Sequence, residues 1–127
     1  MPVRSLNSSV LKWPDRETVV TAARKWAAAE ANHRPELVRL GFFGSYATGN
    51  WGVGSDLDLV AVVNSSDRPF IRRSLDWNLG GLPVPAEILI YTAGEWEKVV
   101  DRGDRFAQVM STEVVWLVPA TPAQGNP

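Results

Sequence analysis

The segment Leu57-Asp58-Leu59-Val60-Ala61-Val62-Val63 is apolar at every position but one. A strand with one wet face alternates apolar and polar residues; an unbroken run rich in β-branched side chains marks a strand covered on both faces. Such a strand needs helices on either side of its sheet. The fold class expected is therefore α/β or α+β, a mixed sheet flanked by helices, rather than a bundle or a sandwich.

The rest of the chain supplies those helices. In 127 residues one domain is expected, with enough Val, Leu and Trp to bury a real core. A helix opens at Trp13-Pro14-Asp15, where proline's missing N–H costs least, and ends near residues 32–34, ahead of Pro35. Strands are expected at Leu37–Phe43, Leu57–Val63 and 83–91, the last preceded by a proline that donates nothing to a ladder. Asp67 caps a short helix over 68–78 that stops at Gly80-Gly81. Thr92 caps a helix reaching Asp101, another helix covers 105–111, and a last strand covers 114–118. Residues 13–118 form the folded unit, and 1–12 and 119–127 are expected to be flexible segments.

Composition excludes several classes of chemistry. The net charge of −1 gives no overall field to attract nucleic acid or an anionic membrane, so direct nucleic-acid binding is not expected. Without cysteine there are no disulfides, thiolate zinc sites or cysteine nucleophiles. No apolar run approaches the roughly 20 residues a membrane helix needs, and no signal core opens the chain; a cytoplasmic home fits. The single histidine, His33, falls at a helix end and is expected on the surface, which disfavours a Ser-His-Asp hydrolase.

Three short pieces carry the chemistry that remains. Asp56 and Asp58 stand two apart at the start of a strand, so their carboxylates share a face while Leu57 and Leu59 point the other way. Two such charges repel, and a divalent cation that prefers oxygen ligands relieves them best. Glu87, inside Pro85-Ala86-Glu87-Ile88-Leu89-Ile90, is a third acid, in an apolar run where an unpaired charge is expensive to bury. Gly44-Ser45 is a tight turn before a short helix: the glycine admits a close phosphate, and the serine offers a hydroxyl and an N–H. No Lys-Ser or Lys-Thr follows the glycines and no G-x-G-x-x-G is present, which sets aside Walker-type and dinucleotide-binding loops.

The order strand, Gly44-Ser45-Tyr46-Ala47-Thr48-Gly49, Gly54-Ser55-Asp56-Leu57-Asp58-Leu59, then an acid-bearing strand resembles the signature of the DNA polymerase β-like nucleotidyltransferase superfamily, and the short length resembles its minimal nucleotidyltransferase group. The resemblance spans about 13–117. It implies two magnesium ions held by Asp56, Asp58 and Glu87, and a nucleoside triphosphate, ATP or another, contacted by Gly44, Ser45 and Ser55. Transfer of a nucleoside monophosphate to an acceptor hydroxyl follows, most simply on a HEPN-domain partner protein that this chain serves as an antitoxin. Two alternatives stay open, a small-molecule alcohol such as an aminoglycoside and a non-catalytic antitoxin acting by binding; a homo-oligomer also stays open. Two positions depart from the pattern. Thr48 stands where relatives carry a basic residue, a charge that Arg72 or Arg73 would have to supply if they do not simply face solvent, and Glu87 stands where aspartate is usual. Of six tryptophans, Trp26, Trp77, Trp96 and Trp116 are expected in or near the core. Trp51, in the glycine-rich stretch, either stacks on a base or a partner or folds back over the sheet.

Overall fold

The computed structural model describes residues 13–119; the expectations for 1–12 and for the tail beyond 119 lie outside the described residues. Helix α1 (Arg16–His33) is followed by strand β1 (Leu37–Phe43), the one-turn helix α2 (Ser45–Thr48) and strand β2 (Leu57–Val63). A 3₁₀ helix (Phe70–Asp76) leads to strand β3 (Ala86–Thr92), helices α3 (Ala93–Asp101) and α4 (Arg105–Thr112), and strand β4 (Val115–Val118). The sheet runs β3-β2-β1-β4. β1 is antiparallel to both β2 and β4, whereas β2 and β3 are parallel, so the sheet is mixed as expected.

The apolar run behaves as its composition dictates. Leu57, Leu59, Ala61 and Val63 pack on one face of the sheet with Leu40, Phe42 and the α1 residues Val19, Ala23 and Ala27. Val60 and Val62 pack on the other face with Trp96 and Val99 of α3 and Met110 of α4. Each Val, Leu, Phe or Met side chain taken from water contributes about 1.5–3 kcal/mol. Trp77 and Trp96 are buried, and Trp26 and Trp116 pack against the two clusters, as the sequence predicts.

The ends of the elements are fixed by local hydrogen bonds. Asp15 accepts from the Thr18 N–H at 2.8 Å and starts α1. Thr92 and Glu95 form a reciprocal capping box that turns the end of β3 into α3. The segment after β2 differs from expectation: it is a 3₁₀ helix capped by Pro69, with no side-chain cap, rather than a longer helix opened by Asp67. Tertiary anchoring sets its form, because the Arg73 guanidinium donates to the Arg68 carbonyl (2.9 Å), the Ile90 carbonyl (3.1 Å) and the Glu95 carboxylate (2.6 Å). β3 begins at Ala86 rather than 83, after two prolines that cannot donate to a ladder.

Candidate active site

The register of three strands places the predicted carboxylates. Asp58 lies opposite Phe43 of β1 and Glu87 of β3, so Phe43, Asp58 and Glu87 form a row across the sheet at the start of β2 and β3. Alternation along β2 puts Asp58 on the face that carries Val60 and Val62, but α3 and α4 cover only the far end of that face. The near end is left to the acids. Asp56 precedes the first residue of β2 and is exposed; Asp58 is half-buried; Glu87 is exposed on the edge strand. Glu87 is therefore not the buried charge expected from its apolar flanks. Its neighbours Ile88 and Ile90 face the core, whereas Glu87 points to the other side.

Asp58 feels the charges of the other two acids. Burial first, then the Glu87 and Asp56 charges, push the Asp58 carboxyl above the usual carboxylate range. Among the described residues, no group of three His, Cys, Asp or Glu side chains is gathered tightly enough to hold a metal ion alone. The carboxylates repel across a gap and form no closed cage. As hard oxygen donors carrying uncompensated negative charge, they fit a divalent cation as an open set, to be completed by ligands from solvent or substrate.

Gly44 closes the site from above. Its φ of 78° lies in the left-handed region, and a Cβ built there would collide with Asp58 Oδ2. The turn glycine and the carboxylate candidate are thus one packed unit, a contact that only the assembled sheet creates. Ser45 follows, half-buried, at the start of α2. A single helical turn aligns too few peptides to act as a strong dipole, so the serine hydroxyl and N–H are what it offers an anion. Ser55 acts locally, since its hydroxyl accepts from the Gly52 N–H at 2.8 Å and closes the turn that delivers Asp56.

Support for α2 comes from residues that sequence reasoning passed over. Arg16 Nε donates to the Tyr46 carbonyl at 2.7 Å, and the Trp13 indole donates to the Tyr46 hydroxyl at 3.1 Å. Tyr46 is fully buried, and Trp51 stacks on its ring with centroids 5.9 Å apart and planes within 12°, so Trp51 folds back against the core. Thr48 donates to the Gly44 carbonyl at 3.2 Å and ties off the turn. Arg73 is buried against Glu95 and is on no solvated face; Arg72 is exposed. His33 is exposed in the last turn of α1.

Known proteins share this arrangement of strands and helices. Residues 25–114 match the model of a family described as nucleotidyltransferase domain. Among solved structures, the chain resembles an inferred nucleotidyltransferase from Sulfolobus solfataricus, with a TM-score of 0.57 and 18% identity over 80% of each chain. That degree of likeness speaks for a shared fold. No curated protein matches the chain.

Proposed function

The chain belongs to the nucleotidyltransferase domain family, and on that premise we propose that it transfers a nucleoside monophosphate from a triphosphate, AMP from ATP, to a hydroxyl acceptor, with pyrophosphate leaving as the bond between the α and β phosphates breaks. The observation that carries this reading is the row formed by Asp58 and Glu87, coupled to Asp56 and packed beneath Gly44. Asp56, Asp58 and Glu87 would hold magnesium, which when bound supplies charge neutralisation for the triphosphate and acidifies the attacking hydroxyl. Gly44 and Ser45 receive the phosphates, and the Ser55 turn holds Asp56 in place. Glu87, exposed on an edge strand, is where an acceptor coming from solvent meets the site, and its carboxylate accepts the hydroxyl proton.

The acceptor we propose is a hydroxyl of a HEPN-type partner protein, a tyrosine for example, in the cytoplasm, with this chain in the role of antitoxin. The chain incubated with α-labelled ATP, magnesium and that partner should label the partner, and Asp58→Asn should abolish the label. An intact complex that never becomes labelled defeats the proposal. One observation favours a second reading, neutralisation by binding alone. Thr48 brings no positive charge to the turn, and Arg73, a candidate to replace it, is engaged with Glu95. If Asp56→Asn with Asp58→Asn leaves neutralisation intact in a folded protein, binding is sufficient.

A further inference from the structure

One surface is left unexplained by catalysis. The 3₁₀ helix exposes Phe70 (42%), Ile71 (82%) and Leu75 (70%), a concentration of apolar side chains that water penalises and that marks contact surfaces in soluble proteins. Beside it lies a shallow pocket of about 420 Å³ lined by Phe70, Tyr91, Glu95, Lys98, Val99 and Arg102. Its walls are mostly apolar, with the Phe70 and Tyr91 rings 5.1 Å apart.

The charges at its rim are unequal. Glu95 is neutralised by Arg73, whose guanidinium donates to both its oxygens at 2.6 and 3.2 Å. Lys98 is exposed and forms no ion pair with a described residue, and the ion pair that Arg102 makes among the described residues is with the exposed Asp104. An apolar pocket with net positive charge at its mouth complements an apolar anchor followed by a carboxylate.

Position ties the pocket to the acids. Tyr91, Leu89 and Glu87 are alternate residues of edge strand β3, so they share one sheet face. Leu89 and Tyr91 are half-buried and Glu87 is exposed, which leaves a partly open apolar track from the pocket to the acids. Four residues of strand span about 13 Å. We propose that this pocket docks an extended segment of a protein partner, an apolar anchor with an acidic residue beyond it, and that the docked segment lays a hydroxyl side chain about four residues away against Glu87. The second half rests on the nucleotidyl-transfer reading; the first does not.

Synthetic fluorescent peptides separate the two. One carries a tyrosine, a leucine four residues along and a glutamate beyond it; a second has serine in place of that leucine; a third has the leucine two residues from the tyrosine. In fluorescence anisotropy with the full chain, the first should bind at least about tenfold tighter than the second, the worth of one buried leucine. Lys98→Glu, an exposed change that leaves the core intact, should weaken the first about fivefold and flatten its salt dependence. Phe70→Ser should weaken it further. With ATP and magnesium, label should reach the tyrosine of the first peptide and not of the third. Equal binding of the first two, or an unchanged affinity in Lys98→Glu, overturns the docking site. Preferential binding without label on any peptide leaves the pocket standing and counts against transfer. Equal labelling of the first and third peptides overturns the spacing.

Discussion

Glu95 and Asp58 sit at opposite ends of the β2–β3 strand pair and are treated in opposite ways. Glu95, just past the end of β3, receives the Arg73 guanidinium and the Thr92 N–H, and its carboxyl is pushed down to about 2. Asp58, at the start of β2, forms no ion pair with a described residue; burial and two neighbouring acids push its carboxyl up. The fold satisfies charge where elements are fastened together and leaves it unsatisfied at the start of β2, where the proposed cation and substrate would bind. Residues at one end are arranged for stability; residues at the other accept a cost that a cation and a substrate would remove.

The largest test of that contrast is Asp58→Asn. Transfer should fall about a thousandfold, the scale seen when one electrostatic element of a catalytic site is lost. In chelator, however, the variant should unfold at the same temperature as the wild type or slightly higher, because a repelled carboxylate is gone; after solvent screening the gain is about 0.5 kcal/mol. Calorimetry on both proteins decides it. A marked loss of stability would make Asp58 a structural residue and dissolve the comparison.

Next in size is Gly44→Ala. The substitution meets two penalties at once, a left-handed backbone and a collision with Asp58 Oδ2, and should cost about 2–3 kcal/mol in urea titration. Gly54, whose φ is 89°, has nothing within 4 Å of where a Cβ would stand, so Gly54→Ala should cost only the backbone part, about 1–2 kcal/mol. If the two cost the same, the packing of Gly44 over Asp58 is not what requires a glycine there. At the fastened end, Arg73→Met should cost about 2 kcal/mol. It strands the Ile90 and Arg68 carbonyls and takes from the Glu95 carboxylate its cation while leaving it the Thr92 N–H, a loss softened because that side chain is 41% exposed. A loss under about 0.5 kcal/mol would mean that the cluster fastens little.

These outcomes also measure what the sequence can convey. β1 and β2 are legible to the residue, because apolar residues dominate both segments and turn residues bound them, and β2's two-sided burial follows from its composition. The Thr92 start of α3 is legible because a capping box is local. What escapes the sequence is non-local. Arg73 finds Glu95 22 residues away, and nothing between them announces the pair. The place of Glu87 on an edge strand follows from strand order, so its apolar neighbours suggest burial that the topology does not impose. Asp58 and Glu87 are neighbours, in register across β2 and β3; the sequence puts Glu87 inside a strand over 83–91, and it stands at a strand start because β3 begins only at Ala86. Their openness, and the contact with Gly44, need the sheet to be assembled.

The smallest effect, and the most direct measure of the fastened end, is the acid sensitivity that Glu95 confers. Its folded carboxyl is lowered from 4.5 to about 2, led by the Arg73 hydrogen bond and then by the Thr92 N–H. A lowered carboxyl contributes stability that is present above its unfolded value and is lost as pH falls towards the folded one, so the window runs from about 4.5 down to about 2. With a side chain 41% exposed, solvent screening leaves about 1 kcal/mol of this contribution. Asp15 and Asp104 are also lowered, by the Thr18 and Ala107 hydrogen bonds, and their acid losses are common to wild type and Glu95→Gln. Unfolding free energies from urea titrations across that window should therefore fall about 1 kcal/mol further for the wild type than for Glu95→Gln. Arg73→Met should erase the difference, because without the guanidinium the carboxyl has lost its main reason to stay ionised. Parallel pH curves for wild type and Glu95→Gln would place the strength of that end in the capping box and the burial of Trp96 and Val99, and the opposition between the two carboxylates would then be one of location without energy.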